Sequence, residues 1–272
     1  MEPGRVIPVL DKGFVRLVDV MGSDQAIVQA ARVSYGEGTK TVREDAALID
    51  YLMRHRHTSP FEMVEFKFHV KAPLFVARQW FRHRTASVNE ISGRYSVLKE
   101  EFYEPKAFRR QARRNKQASE GTLLDEEAMA LAKEAEEEAY AAYQALLQKG
   151  VAREMARMVL PLSLYTEFYW KQDLHNLFHF LKLRLAPEAQ WEIRQYAQAI
   201  AEIVKARVPL AWAAFEEHVL HGASLSRTEV LALRGLLTPE TYEKALAALG
   251  LGGSRLREAL EKLFGPLDTP LA

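Results

Sequence analysis

The sequence of 272 residues contains no cysteine. This absence excludes disulfide bonds, thiolate nucleophiles and cysteine-ligated metal sites. Long apolar runs are missing as well, since no stretch approaches the length of a membrane span. The N-terminus also lacks the basic-then-apolar layout of a signal peptide. From the sequence alone we therefore expect a cytoplasmic protein that binds no membrane.

The chain has little net charge. Lysine and arginine number 37, aspartate and glutamate number 36, and the formal net charge is +1 at pH 7. A molecule so close to neutral has no general electrostatic attraction for nucleic acid. Its hydrophobic content of 48% and charged content of 27% are ordinary for a globular protein. The length is sufficient for one large domain or two small ones.

Glycine-rich nucleotide fingerprints are missing too. Neither Gly36-x-Gly38 nor the cluster Gly250–Gly253 has the strand–turn–helix surroundings and the glycine spacing of a dinucleotide-binding motif. No P-loop pattern is present. A flavin or nucleotide bound by this chain is therefore not expected to lie on a Rossmann domain.

Apolar periodicity predicts an α+β fold, with helices flanking a small mixed or antiparallel sheet and no Rossmann domain. Alternating residues predict strands over 13–20, 64–70 and 163–170. Helical spacing and helix-boundary residues predict helices over 25–33, 43–56, 73–84, 151–159, 173–185 and 187–208, and a long helix that ends near Lys149. We predict two domains, residues 1–220 and a helical extension over 221–272.

Three polar residues are predicted to cap helices: Asp24, Ser59 and Asp173. Ser59 opens the sequence Ser-Pro-Phe-Glu, which has the pattern of a capping box with proline at the first helical position. The free amides at the start of such a helix suit a phosphate group.

Residues 82–95 concentrate polar side chains with little apolar filler: three arginines, a histidine, a glutamate, an asparagine and two serines. The predicted 73–84 helix places Gln79, Arg82 and His83 on one face, and an irregular loop is predicted to follow. Arginine side chains match phosphates and planar carbonyl edges. This segment is therefore predicted to bind an anionic, planar ligand such as a nucleotide.

Arg82-His83-Arg84, followed after seven residues by Ser92, resembles the RHR-x7-S pattern of the flavin-dependent thymidylate synthases. The similarity extends from about Gly13 to about Arg207. It implies reductive methylation of deoxyuridine monophosphate (dUMP) to deoxythymidine monophosphate (dTMP). It also implies FAD as redox shuttle, 5,10-methylenetetrahydrofolate as carbon donor, NADPH as reductant, and a homotetramer with shared active sites.

The resemblance also assigns roles to residues. Arg184 is implied to activate the uracil, because a guanidinium that stays protonated stabilises negative charge at N3 and the adjacent carbonyl. The implied flavin contacts are Ser59, Arg82, His83, Arg84, Glu90, Asp173, His175 and His179. The implied nucleotide contacts are Gln79, Arg82, Glu90, Ser92, Gly93, Arg94, Arg157 and Arg184. Asp173 and His175 stand where asparagine and arginine are common in the family.

Two alternatives follow from other residues. His175 and His179, spaced i and i+4, would suit a zinc hydrolase with a third ligand from His55, His57 or His69. The basic run 106–116 would suit a nucleic-acid-binding module. We predict no metal site and no nucleic-acid partner, because no third ligand is evident and the next segment is acidic. The basic run is instead predicted to be an exposed connector.

Overall fold

The computed structural model describes residues 3–33, 42–114, 116 and 118–265. The Gly36-x-Gly38 motif lies outside these residues. The chain divides into two compact units, Met1–Leu220 and His221–Ala272. Within the part of the chain that is described, no helix combines the length and the apolar character needed to cross a membrane.

The described residues form seven strands: β1 (Val6–Val9), β2 (Gly13–Met21), β3 (Glu65–Pro73), β4 (Ser87–Glu90), β5 (Phe108–Gln111), β6 (Ser119–Leu123) and β7 (Tyr165–Asp173). Five of them form one sheet in the order β1-β2-β3-β7-β4, and every neighbouring pair in it is antiparallel. Strands β5 and β6 form a separate hairpin. The predicted α+β class is confirmed, and the sheet is antiparallel rather than mixed.

The helices of the first unit are α1 (Asp24–Arg32), α2 (Val42–Arg54), α3 (Leu74–Trp80), α4 (Glu126–Gln148), α5 (Arg153–Ala156), α6 (Leu174–Leu185), α7 (Trp191–Arg207) and α8 (Pro209–Phe215). The second unit contains α9 (Arg227–Leu236), α10 (Pro239–Ala248) and α11 (Gly253–Phe264). The long helix ends as predicted, because Gly150 follows it with a φ of +82°, a conformation that glycine adopts without strain.

The core lies on one face of the sheet, because alternate side chains of the central strands point to it. Phe68 of β3 stands opposite Trp170 of β7, and both are fully buried. Trp80, the last residue of α3, contacts Trp170 and Phe180 and is fully buried as well. Burial of such a side chain contributes about 1.5–3 kcal/mol. The chain is thus firmly anchored immediately before residue 82.

The predicted role of Asp24 as the cap of its own helix is wrong. The residue preceding α1 is Ser23. The Asp24 carboxylate instead accepts hydrogen bonds from the backbone amides of Leu210 and Ala211, at 2.9 and 3.0 Å, and so caps the start of α8. Burial raises the pKa of Asp24. A local sequence pattern cannot reveal a partner so far along the chain.

The predicted capping box at Ser59 is also wrong. Residues Phe61–Met63 form a single 3₁₀ turn, which is preceded by Pro60 and has no side-chain cap. A three-residue turn does not align enough peptide dipoles to favour a phosphate group. The cap predicted at Asp173 is confirmed, since its carboxylate accepts a hydrogen bond from the amide of Asn176 at 2.9 Å.

Two helix boundaries and one connector also differ from the prediction. Helix α3 ends at Trp80 rather than near residue 84, and α7 begins at Trp191 rather than at Pro187. The supposed connector over the basic run contains the β5–β6 hairpin. Arg109 of this hairpin reaches inward to the buried carboxylate of Glu192 at 2.6 Å, and this ion pair holds the hairpin against α7.

Candidate functional site

Residues 82–95, here called the signature segment, follow α3 directly. The amide of His83 donates to the carbonyl of Trp80 at 3.0 Å, so His83 lies in a turn and not on the helix. The segment then forms β4, in which Glu90 pairs with Phe168 of β7. The prediction of an irregular loop is therefore wrong for residues 87–90.

Two side chains of β7 hold the signature segment in place. The Thr166 hydroxyl donates to the Glu90 carboxylate at 2.7 Å, and the Gln172 amide donates to the Thr85 carbonyl at 3.2 Å. Thr166 and Gln172 are both buried and lie six residues apart, on the same face of the strand. The backbone at Thr85 and the side chain of Glu90 are thereby fixed against the sheet.

Arg184 and His83 meet at the start of the signature segment. The Arg184 Nε–H donates to Nε2 of His83 at 3.0 Å. Burial, together with the charges of Arg184 and His179, lowers the pKa of His83 to about 4. The imidazole is therefore neutral near pH 7, with its proton on Nδ1. Burial also lowers the pKa of Arg184, but a guanidinium remains a cation.

Helix α6 supplies the surroundings of this pair. The His83 ring packs edge-on against Phe180, with centroids 4.9 Å apart, and against His179 at 5.9 Å. His179 is exposed and His175 is partly buried. At the start of α6 the Asp173 carboxylate accepts hydrogen bonds from both the backbone amide and the side-chain amide of Asn176. The structure thus brings His83, His179 and Arg184 into one cluster.

The other end of the signature segment meets α5 and the 3₁₀ turn that follows it. Gly93 is buried, and a Cβ atom there would lie 2.9 Å from Leu98 Cδ1 and 3.2 Å from Arg157 Cδ. Such distances leave no room for a side chain without a shift of Leu98 or Arg157. Glycine at this position lets the backbone pass close beside the Arg157 side chain.

Arg94 is exposed, and its Nε–H donates to the Glu154 carboxylate at 3.1 Å. The backbone amide of Arg94 donates to the Ser92 hydroxyl at 3.3 Å. Arg94, Glu154 and Arg153 line an open cavity of about 500 Å³. This end of the segment therefore presents cations to solvent beside a space large enough for a phosphate group.

The remaining predicted contacts lie in different settings. Oε1 of Gln79 is buried and has no hydrogen-bond partner within the described part of the chain. Such an atom is costly unless a donor reaches it, so it suits a ligand N–H. Arg82 and Arg84 are exposed on either side of the buried His83. Ser59 is exposed and makes no hydrogen bond to another predicted contact among the described residues.

Some of the residues considered for the metal and nucleic-acid alternatives already have partners. Among the described residues, no group of three or more histidine, aspartate or glutamate side chains is placed to hold a metal ion. His69, one candidate third ligand, is bonded to Arg16 at 3.0 Å and to Glu167 at 2.9 Å. In the basic run, Arg109 is paired with Glu192 and is not available to a nucleic acid.

Sequence reasoning missed Thr166, Gln172 and Glu154. A signal for the first two was present, since Thr166 and Gln172 are polar residues at inward positions of a strand whose other inward residues are apolar. Such residues usually bond to something buried. Glu154 gave no such signal, because a glutamate between Arg153 and Arg157 is indistinguishable in sequence from ordinary surface charge.

A family model described as "Thymidylate synthase complementing protein" matches residues 16–210 of this chain. A flavin-dependent thymidylate synthase of Thermus thermophilus is 86% identical over 266 residues, which cover 98% of each chain. That of Treponema denticola is 56% identical over 261 residues, which cover 94% of this chain and 96% of that one.

A solved structure is similar as well. The UMP/dUMP methylase PolB from Streptomyces cacaoi, bound with 5-Br dUMP, is 35% identical and superposes with a TM-score of 0.73. The match covers 80% of this chain and all of the methylase chain.

Proposed function

The chain belongs to the flavin-dependent thymidylate synthase family, and from this premise we propose that it converts dUMP to dTMP by reductive methylation. FAD is the cofactor, methylenetetrahydrofolate supplies the carbon and NADPH supplies the electrons. The observation that carries the proposal is the partly buried Arg184 bonded to His83 of the signature segment. In a chain without cysteine, this cation is the group best placed to activate a uracil ring.

The residues present fit a flavin nucleotide. Arg82 and Arg84 are exposed cations suited to a diphosphate, and the neutral His83 between them keeps its Nδ1–H for a ligand. We propose that FAD is held by Ser59, Arg82, His83, Arg84, Glu90, Asp173, His175 and His179. When bound, FAD supplies the two-electron chemistry that converts a methylene group into a methyl group.

The other end of the segment fits dUMP. Ser92, Gly93, Arg94 and Arg157 combine a hydroxyl, a close backbone approach and two exposed cations, which together suit a phosphate monoester. The unpartnered Gln79 amide suits the edge of a uracil. The proposed nucleotide set is Gln79, Arg82, Glu90, Ser92, Gly93, Arg94, Arg157 and Arg184. Ser92 serves in binding, since no base is placed to activate its hydroxyl among the residues that the structure describes.

Arg184 acts on the uracil as a fixed positive charge. Its guanidinium stabilises the negative charge that develops at N3 and the adjacent carbonyl, which polarises the ring so that C5 and C6 become reactive. Partial burial strengthens this interaction, because less water screens the charge. Arg184 is therefore the catalytic residue, and the arginines at the Gly93 end bind and orient the substrate.

We also propose a homotetramer with shared active sites and a cytoplasmic location. The sheet face opposite the core carries Phe14, His69 and Tyr169, whose rings contact one another through His69, and Tyr169 is 42% exposed. Aromatic side chains left partly open on a sheet face suit a subunit contact. The division into a catalytic domain, 1–220, and an extension, 221–272, is part of the same proposal. Light scattering during size exclusion measures the assembly.

The experiment that tests the function is a visible absorption spectrum of the purified protein, before and after anaerobic addition of NADPH. A flavin spectrum that bleaches faster when dUMP is present supports the proposal. Addition of methylenetetrahydrofolate should then yield dTMP. A colourless protein that takes up no added FAD, or an FAD-loaded protein that forms no dTMP, contradicts the proposal.

A further inference from the structure

We propose that His83 is a positioning residue for Arg184: its imidazole fixes the direction of the catalytic guanidinium without neutralising its charge. This inference rests on the proposed function of Arg184. The direct observation is the hydrogen bond from Arg184 Nε to His83 Nε2, at 3.0 Å. With Nε held at one edge, the two terminal nitrogens of the guanidinium have no hydrogen-bond partner among the described residues and can face a planar substrate.

The kind of partner matters for this role. A carboxylate would hold Arg184 at least as firmly, but it would cancel much of the positive charge that a uracil ring is to experience. No carboxylate forms an ion pair with Arg184 in the part of the chain that the structure describes. A neutral ring nitrogen accepts the Nε–H and leaves the full charge in place. Burial supports this arrangement, because it keeps His83 unprotonated near pH 7.

His83 is itself held on several sides. Its backbone amide is bonded to the carbonyl of Trp80, a fully buried residue, and its ring packs edge-on against Phe180, which is also fully buried. Arg184 lies on the same helix as Phe180, about one turn further along. The ring therefore links the end of α3 to α6 at the level of the catalytic cation, and its position is determined by core packing.

Two substitutions separate the packing of the His83 ring from the hydrogen bond that its Nε2 accepts. His83→Phe keeps an aromatic ring against Phe180 but removes the acceptor, whereas His83→Gln restores an acceptor near the position of Nε2. At saturating FAD we expect kcat to fall by about tenfold to a hundredfold in His83→Phe and to recover most of this loss in His83→Gln. The midpoint of thermal unfolding and the amount of bound FAD are measured in both His83 variants. His221→Phe is the control, because His221 is an exposed histidine that belongs to neither of the proposed binding sets.

A double-mutant cycle shows whether His83 acts through Arg184. Arg184→Lys keeps the positive charge but has no Nε–H to donate, so His83→Phe should weaken dUMP binding in the wild type and have little further effect beside Arg184→Lys. The dissociation constant of dUMP is measurable even in inactive variants. The inference is overturned if His83→Phe weakens dUMP binding equally in the wild type and beside Arg184→Lys. It is also overturned if His83→Phe and His83→Gln lower kcat equally. Failure of the wild type to form dTMP would instead contradict the proposed function, and the binding cycle would still report on the pair.

Discussion

The two ends of the signature segment hold their arginines in different ways. At the His83 end, Arg184 is partly buried and bonded to a neutral ring that the core fixes. At the Gly93 end, Arg94 and Arg157 are exposed, and Arg94 is paired with Glu154. A buried, fixed cation acts on charge that develops during a reaction. An exposed cation contributes mainly to attraction and affinity, which solvent and salt weaken. The comparison thus assigns chemistry to one end and substrate capture to the other.

The largest expected effect comes from Arg184→Ala. Loss of the cation should lower kcat by about 10²–10³-fold, because an interaction that strengthens in the transition state is removed. The bound FAD should be unchanged. Steady-state kinetics with varied dUMP measure the effect, and Lys182→Ala, an exposed cation on the same helix, is the control. An equal loss of kcat in Arg94→Ala would contradict the assignment of chemistry to the His83 end and substrate binding to the Gly93 end.

A smaller effect is expected from Gly93→Val. The added side chain has no space beside Leu98 and Arg157, so at least one of these two side chains must move, and the unfolding free energy should fall by about 1–3 kcal/mol. The KM for dUMP should rise while kcat changes little. Urea denaturation and steady-state kinetics measure the two quantities. Gly235→Val is the control, because the space around Gly235 is open and a valine there displaces no other residue. A fall in kcat with unchanged KM would contradict the assignment of Gly93 to binding.

The stability of the protein should depend on pH through His83, at one end of the signature segment. His83 has its pKa lowered to about 4 from a reference value of 6.5, so the unfolded chain takes up a proton at this residue that the folded chain does not. Its contribution to stability is therefore complete above pH 6.5 and is lost as the pH falls from 6.5 toward about 4. Urea denaturation across this range should give a shallower slope in His83→Gln than in the wild type. A slope in His83→Gln as steep as that of the wild type would contradict this prediction.

The smallest effect is expected from Glu154→Gln. Loss of the carboxylate removes a negative charge beside the proposed phosphate position, so dUMP should bind about two- to threefold more tightly at low salt. The difference should shrink as salt is added. Isothermal titration at several salt concentrations measures the affinity for dUMP. Glu137→Gln is the control, because Glu137 forms an exposed ion pair on α4 and belongs to neither proposed binding set. Weaker binding in Glu154→Gln would show that Glu154 orients Arg94 rather than competing with the phosphate.

The sequence predicted the elements that depend on side-chain burial. Strand β3 and helix α6 were both recognisable, because their apolar residues repeat at the spacing of a strand and of a helix. Strand β4 was missed because all four of its side chains are exposed, so that only backbone pairing with β7 defines it. The role of Asp24 was missed for a related reason: its partners come from α8, far along the chain.

The candidate site shows the same limit. The residue types of the signature segment indicated an anionic ligand, and the resemblance singled out Arg184. Neither could show that His83 and Arg184 share a hydrogen bond, because these residues are 101 positions apart and meet only through the packing of α3 and α6. The pKa of His83 follows from that packing, and no sequence motif encodes it.

The most direct test of the central claim is a single-turnover experiment with methylenetetrahydrofolate labelled at its methylene carbon. FAD-loaded protein is reduced with NADPH and mixed with saturating dUMP, and the nucleotides are separated and counted. We predict that the wild type places the label in dTMP and that Arg184→Ala, with dUMP and FAD bound, does so about 10²–10³-fold more slowly. Labelling at equal rates by both proteins, or no labelling by the wild type, would contradict the account.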